Sequence, residues 1–429
     1  MLYDEYLNLH YRPKNDLVCL FRIDPADKLT VKEAAERIAA ESSVGTWTEI
    51  DNLKYVKKLE AKVFSIKGEY VKLAYPVELF EKGNMPNILS SVAGNVFGMK
   101  DVKALRLEDI QFPKSMIRGF SGPLNGIKGI RKRLRIKNRP FVGTIVKPKL
   151  GLKTKEHAES AYESWVGGCD FVKDDENLSS QNFNKFENRL LKTLEMKDRA
   201  EEETGEKKAY LINVTAETEE MVRRAELVKK QGAKFIMMDM LTVGFSGLQT
   251  LAKENKRLKL IIHGHRAMHA ALTRNKEQGI SMLVLADIAR LIGIDSLHIG
   301  TGIGKMEASI QEVHEIEEEI EENYVKETRQ RLQQNWYRLK PVLAVCSGGL
   351  HPGHVPFLIK HLGNDISIQA GGGIHGHPYG TTAGARAMRQ AVDACMKHIP
   401  LGGYAQSHYE LKEALRRWQP HELARSHTS

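Results

Sequence analysis

Apolar positions along this chain follow two rhythms. From Phe141 onward, apolar runs of strand length recur at Phe141–Lys149, Phe171–Asp175, Tyr210–Thr215, Phe235–Met240, Lys259–Arg266, Ser296–Gly300, Pro341–Gly349 and Ile366–Gly372. Between most of them the spacing turns helical, as in Glu156–Val166, Phe183–Glu203, Thr218–Gln231, Ser281–Ile292 and Val355–Leu362. Strands alternating with helices predict a parallel sheet, and eight of them predict a closed (β/α)8 TIM barrel. The earlier part orders its elements differently. Leu17–Ile23 reads as strand, Val31–Ala40 as helix, Lys62–Ile66 and Tyr70–Tyr75 as strands, Met85–Ala93 as helix and Val102–Phe112 as strand. That order predicts a small α+β, ferredoxin-like domain of the split βαβ kind. The expected organisation is an N-terminal domain at 1–130, a catalytic barrel at 131–410, and a helical end and tail at 411–429. The join is expected in the basic, glycine-containing stretch Gly126–Asn138, and the chain past Thr382 reads as helix to near residue 417. The acidic run Glu317–Glu322 reads as the solvated face of a charged helix.

Composition narrows the class. The chain has 429 residues, 41% hydrophobic and 28% charged, which allows a large core and about two or three domains. No apolar run approaches the roughly 18 residues of a membrane span, and the first residues carry no secretory pattern. Cys19, Cys169, Cys346 and Cys395 are scattered without a CxxC pair, so neither structural zinc nor a disulfide framework is expected. A cytoplasmic enzyme with reduced thiols is the expectation. The net charge of +10 suits an anionic partner. The basic residues are dispersed, with no compact run interleaved with aromatics, so a polyanionic small substrate is expected and neither nucleic acid nor membrane is.

Candidate chemistry gathers where the strand-like runs end, which in an eight-stranded barrel is the active-site face. The richest stretch is Phe171-Val172-Lys173-Asp174-Asp175-Glu176-Asn177, where an apolar strand runs into one lysine and three carboxylates. Read alone, it is either a solvated turn with a local ion pair or a Mg²⁺ site whose lysine is altered or neutral when the metal binds. The other ends carry Lys147-Pro148-Lys149, Asn213, Asp239, His263-Gly264-His265-Arg266 with His269 behind, His298, Ser347-Gly348-Gly349 and Gly371-Gly372-Gly373. Asn213 and Asp239 read as structural. The glycines after the last two strands allow backbone amides close to an anion, at the usual phosphate site of this fold. With Lys147, Lys149, Arg266 and His298, they predict a phosphorylated, bisphosphate-like substrate across the mouth. Gly300-Thr301-Gly302-Ile303-Gly304-Lys305 lacks the Ser/Thr that a P-loop requires after its lysine, and reads as a hinged lid carrying Lys305.

These residues together resemble the large subunit of ribulose-1,5-bisphosphate carboxylase/oxygenase (Rubisco). The likeness runs through Glu41-Ser42-Ser43-Val44-Gly45-Thr46-Trp47, Gly94-Asn95-Val96-Phe97-Gly98, Lys147-Pro148-Lys149-Leu150-Gly151-Leu152 and Lys173-Asp174-Asp175-Glu176-Asn177. It continues through His265-Arg266-Ala267-Met268-His269, Ser347-Gly348-Gly349, Gly371-Gly372-Gly373 and Gly376-His377-Pro378. Gly143-Thr144-Ile145-Val146 and Leu297-His298-Ile299-Gly300-Thr301 resemble the archaeal form III enzymes most.

The resemblance implies a carboxylase that converts ribulose 1,5-bisphosphate, CO2 and water into two 3-phosphoglycerate through a Mg²⁺-stabilised enediolate. Oxygenation by O2 is the implied side reaction, and AMP salvage the implied role. Lys173 would carry an activating CO2 as a carbamate and bind Mg²⁺ with Asp175 and Glu176, then act as the first base. Lys147 would move protons, supported by Lys149, and His265 would help deprotonate water or the substrate hydroxyl. Lys305 would orient CO2. Arg266 and His298 would hold one phosphate; Gly349, Gly371 and Gly372, with Thr46, Trp47 and Lys305, the other; Ser347 a substrate hydroxyl; and Gly348 is a further substrate-binding residue. Glu41, Thr46, Trp47 and Asn95 lie in the N-terminal domain, which in the family caps a second subunit's mouth, so a homodimer or an assembly of dimers is implied. No small subunit is expected. Ile145, Ile299 and Met306 depart from the plant-type pattern without removing a catalytic group. Two other functions fit the same fold: a Rubisco-like enolase or isomerase, and a non-catalytic sugar-phosphate-binding protein. The retained Glu41, Thr46, Trp47, Asn95 and Lys305 speak against the first, and the intact Lys147, Lys173, Asp175, Glu176 and His265 against the second.

Overall fold

Along β1 (Asp16–Pro25) both faces are apolar. Leu17, Cys19, Phe21 and Ile23 join a core with Ala34, Ile38 and Ile88, while Val18 and Leu20 pack on the other side with Tyr70 and Leu332. A strand buried on both faces needs a cover on each, and here helices Val31–Glu41 and Met85–Val92 lie on one. Thr30 starts the first helix with a capping box to Glu33. The sheet is completed by β2 (Lys62–Lys67), β3 (Tyr70–Pro76) and β4 (Val102–Gln111), in the order β4-β1-β3-β2 and antiparallel throughout. This is the split βαβ arrangement predicted. The computed structural model describes residues 6–45, 54–304 and 308–419.

The eight predicted barrel strands all form. They are β5 (Phe141–Ile145), β6 (Phe171–Lys173), β7 (Ala209–Asn213), β8 (Phe235–Asp239) and β9 (Ile261–His265), then β11 (Ser296–His298), β14 (Leu343–Ser347) and β15 (Ile366–Gln369). They pair in parallel and close into a barrel in the order β11-β14-β15-β5-β6-β7-β8-β9. Three short strands interrupt the alternation. β10 (Gly279–Ile280) leaves the barrel and pairs in parallel with β4, as a fifth strand of the N-terminal sheet. β12 (Tyr324–Val325) and β13 (Gln334–Asn335) form an antiparallel pair of their own.

Helix Gly126–Leu134 plugs the N-terminal end of the barrel, where Ile127, Ile130 and Leu134 meet Phe141, Phe171, Phe235 and Leu343. Asp295 anchors its start by accepting from the amides of Asn125 (2.6 Å) and Gly126 (2.8 Å). We therefore place the join between the two units ahead of this helix.

Two expectations are corrected. The stretch past Thr382 is three helices, Gly380–Met396, Leu401–Tyr404 and Tyr409–Trp418. His398 takes φ 57°, and Pro400, which has no amide hydrogen to donate, starts the next helix. The acidic run is not a solvated face either. Glu317 and Glu319 of helix Ile310–Glu321 are buried, and Glu319 accepts from the Trp336 indole at 2.8 Å. The segment containing β13 covers that side of the helix, a long-range contact the local charge pattern does not announce.

Candidate active site

Strand β6 ends in a pleat that sends neighbouring side chains to opposite faces. Asp174 points outward into a buried network. Its carboxylate accepts from Tyr210 Oη (2.6 Å), Asn213 N (3.0 Å) and Arg189 Nε (3.1 Å), and His157 Nε2 lies 3.1 Å away. Burial would raise its pKa, but the Arg189 guanidinium, His157 and the Tyr210 hydroxyl together outweigh burial and hold it far below the usual carboxylate range. This brace fixes the backbone on either side.

Lys173 points inward and is fully buried. Its Nζ donates to Asp174 O (2.7 Å) and lies 3.6 Å from Glu176 Oε2. Burial lowers its pKa, partly offset by the charges of Glu176 and Asp175. Burial would raise Glu176, yet Lys173 and then His265 hold it at about 2. Lys147 reaches across from the end of β5 and donates to Asp175 Oδ2 at 2.7 Å. Asn213, as read from the sequence, is a support: its Nδ2 donates to the carbonyls of Glu176 and Leu178.

Asp239 and His265 face each other in register on β8 and β9. His265 Nδ1 lies 2.7 Å from Asp239 Oδ1; the Ala267 amide approaches the same nitrogen at 3.2 Å. The shorter contact, to a carboxylate, keeps the proton on Nδ1 and leaves Nε2 as the acceptor. His298 packs edge-on against His263 and His265, with ring centroids 4.8 Å away in each case. Burial, with the neighbouring histidines, drives its pKa well below that of a free imidazole, and its buried Nε2 has no hydrogen-bond partner among the described residues.

One cavity of about 580 Å³ collects these groups. Lys147, Lys173, Glu176, His265, Arg266, His298, Ser347, Gly348, Gly349, Gly371 and Gly372 all line it. Arg266 is buried, pushed down to about 10 by desolvation, and makes no ion pair among the described residues. A desolvated guanidinium at a cavity wall favours an anion. After β14, Gly349 takes φ 74°, a left-handed conformation that favours glycine, and after β15 a Cβ on Gly371 would meet Lys147 Cε at 3.2 Å. Arg266 and these glycine turns give the cavity two sets of anion-seeking groups.

The remaining expected residues are not gathered here. Asp175 is buried and paired with Lys147, and is not among the residues lining the cavity. Lys149 is exposed and donates to Asn177 Oδ1 at 3.2 Å, outside the cavity. Glu41 and Asn95 meet each other on the N-terminal domain, 3.3 Å apart, and do not line this chain's mouth. Thr46, Trp47 and Lys305, with the tip of the expected lid, lie outside the described residues. Three contributors were missed. Asp239 was legible, because it and His265 occupy matching ends of consecutive strands. His351 and Trp418 also line the cavity, their rings stacked 5.7 Å apart at 15°. Nothing in the local sequence brings the last helix back to the mouth.

Comparison with known proteins settles the family. The ribulose bisphosphate carboxylase large chain matches in both parts, its N-terminal domain over residues 5–116 and its catalytic domain over 126–418. The chain belongs to the Rubisco large-chain family. Among its relatives, the ribulose bisphosphate carboxylase of Methanocaldococcus jannaschii is 50% identical, over 97% of this chain and 100% of its own. That of Archaeoglobus fulgidus is 46% identical, over 97% and 98%. Among solved structures, a dimeric archaeal Rubisco from Hyperthermus butylicus superposes with a TM-score of 0.92 at 47% identity, covering 97% of this chain and 99% of that one. An octameric Rubisco from Pyrococcus horikoshii, in complex with sulfate ion, gives 0.90 at 45%, covering 97% and 96%. The Rubisco fold is thus the closed barrel with a separate N-terminal domain described above. No helix among the described residues is long and apolar enough to cross a membrane.

Proposed function

We propose that this chain carboxylates ribulose 1,5-bisphosphate, forming two 3-phosphoglycerate from the sugar, CO2 and water. The observation that carries the reading is Lys173: a buried amine of lowered pKa, 3.6 Å from Glu176 and in the field of Asp175, lining a cavity that also holds the buried Arg266 and glycine turns. A neutral amine is the form that adds CO2, and the carbamate formed turns a cation into an oxygen donor. The donor set then fits Mg²⁺, since Lys173 as carbamate, Asp175 and Glu176 would present three hard anionic groups. Bound there, the metal would supply the positive charge that stabilises the enediolate.

The chain's own groups divide the remaining work. Arg266 and the neutral His298 bind one phosphate, and the amides of Gly348, Gly349, Gly371 and Gly372 bind the other. Ser347 holds a substrate hydroxyl between them. His265, whose Nε2 lies 3.6 Å from Glu176 Oε2 at the cavity, accepts a proton from water or the substrate hydroxyl. Lys147 leaves Asp175 to deliver a proton to the product carbanion, with Lys149 contributing positive charge from outside. Thr46, Trp47, Asn95, Glu41 and Lys305 complete the closed site, the N-terminal domain serving a partner's mouth within a homodimer or an assembly of dimers. The dimeric and octameric forms of the similar archaeal enzymes support this. Oxygenation of the same enediolate is the side reaction, and the form III likeness supports AMP salvage as the setting.

The test is incorporation of labelled CO2 into 3-phosphoglycerate after preincubation with Mg²⁺ and bicarbonate. Consumption of the bisphosphate without incorporated label overturns the reading in favour of an enolase or isomerase.

A further inference from the structure

At the opposite end of the barrel, a second cleft of about 540 Å³ opens beside the starts of β7 and β8. Its walls carry Lys132, Arg133 and Arg135 from the end of helix Gly126–Leu134, Lys197 from helix Phe186–Thr204, and Lys207 and Lys234 from the loops before the two strands. Lys208 also lines it, turned inward onto Glu206 (2.7 Å). Only one carboxylate, Glu201, shares the lining, and it is already held by Lys197 (3.1 Å) and Lys207 (2.7 Å). Lys132, Arg133, Arg135 and Lys234 make no ion pair among the described residues. Four separate elements thus turn cations toward one concave space, with the neutralising charge spent on two of them.

A structural role does not explain the convergence. Cations in the last turn of a helix favour its exposed carbonyls. That accounts for the basic last turn of helix Gly126–Leu134, Arg131, Lys132 and Arg133. That reasoning does not reach Lys197, Lys207 or Lys234, which lie on other elements. The crowding is unfavourable in itself: burial and then the charges of Lys229 and Arg133 lower the Lys234 pKa. Like charges held together from distant parts of a chain are relieved by a bound counter-charge.

We propose that this cleft binds the polyphosphate group of a small anionic ligand. The concavity favours a compact group over an extended nucleic-acid backbone, which needs a groove or a long basic strip. The aromatic residues of the lining, Tyr210 and Phe235, are buried in the barrel and offer no open face for stacking a base. Recognition is therefore by charge and by Arg and Lys donors. Inorganic tripolyphosphate and a nucleoside triphosphate bind alike, and the nucleoside alone does not. The active-site cavity lies at the other end of the strands and shares no residue with this cleft.

The test is lysine-reactive labelling of the intact enzyme read by peptide mass spectrometry, with tripolyphosphate, ATP or adenosine present. Tripolyphosphate and ATP should each lower labelling of Lys132, Lys207 and Lys234 by at least about threefold, with adenosine inert. Arg133→Glu with Lys234→Glu should weaken tripolyphosphate binding by about tenfold or more in calorimetry and leave carboxylase activity unchanged. Arg266→Ala, at the other site, should leave the protection intact. Unchanged labelling, protection lost in Arg266→Ala, protection by ATP alone, or protection only by long nucleic acid would each overturn the proposal. None of these outcomes bears on carboxylation, which is measured separately.

Discussion

His265 Nδ1 and Asp239 Oδ1 lie 2.7 Å apart on adjacent strands, so the imidazole that faces the substrate cavity has its tautomer set from behind. Asp239→Asn should preserve the fold and loosen that choice. The expected result is a fall in kcat of about 10- to 100-fold with little change in KM. Steady-state kinetics across pH check this, since a merely structural role would not move the pH profile.

Lys173 should govern activation through its neutral form. Burial lowers its pKa from 10.5, so the reactive amine grows as pH rises and is already more abundant near neutrality than for an exposed lysine. At fixed dissolved CO2, the label trapped on the protein should increase with pH and level off below 10.5. Lys173→Ala should trap none and lose carboxylation while keeping its far-ultraviolet circular dichroism. Trapping independent of pH would count against the amine.

Arg266 is a buried cation with no carboxylate partner among the described residues, which leaves its donors available for the proposed phosphate. Removing it by Arg266→Ala should cost about 1.5–3 kcal/mol of phosphate binding, or about 10- to 100-fold in KM. Arg266→Lys should recover only part of this, because a point charge does not replace a planar fork. Titration with a non-reactive bisphosphate gives the same comparison free of turnover.

Glu317 and Glu321, one helical turn apart, are pushed up to about 7 and about 9, both first by burial; the charges of Glu318, Glu322 and Asp365 add to this at Glu317 against a hydrogen bond to Glu321 that lowers it, and Glu317 itself adds to it at Glu321. Raised carboxyl pKa values mean that the native state holds protons the unfolded chain has released. Stability from these groups is complete below about pH 4.5 and drains away as pH climbs toward 9. Glu321→Gln should flatten that decline and raise Tm by about 1–3 °C at pH 8–9. Thermal unfolding at several pH values, wild type against variant, reads it directly.

Legibility from sequence followed the range of the interactions. Strands β5 to β9, β11, β14 and β15 announce themselves because a buried parallel strand is a local apolar run, and the groups at their ends follow from the barrel rule. The paired strands β12 and β13 and the burial of Glu319 did not, because Trp336 and Arg331 reach that helix from residues beyond it. The same holds at the mouth. Lys147 and Lys173 were placed by their strands, but Trp418 arrives by the return of the last helix, and Lys149 falls outside because the backbone turns away after Ile145.

The short strand β10 has a mechanical consequence. The loop that begins with Arg266 leaves the catalytic mouth and hydrogen-bonds along β4, with the Leu105 amide on Gln278 Oε1 at 2.8 Å and Ser281 Oγ on Glu108 O at 2.6 Å. The segment that carries Arg266 is therefore tethered to the N-terminal sheet of the same subunit. Excising that sheet to obtain a minimal barrel would cut the tether, bare an unpaired edge, and slacken the arginine it was meant to leave untouched.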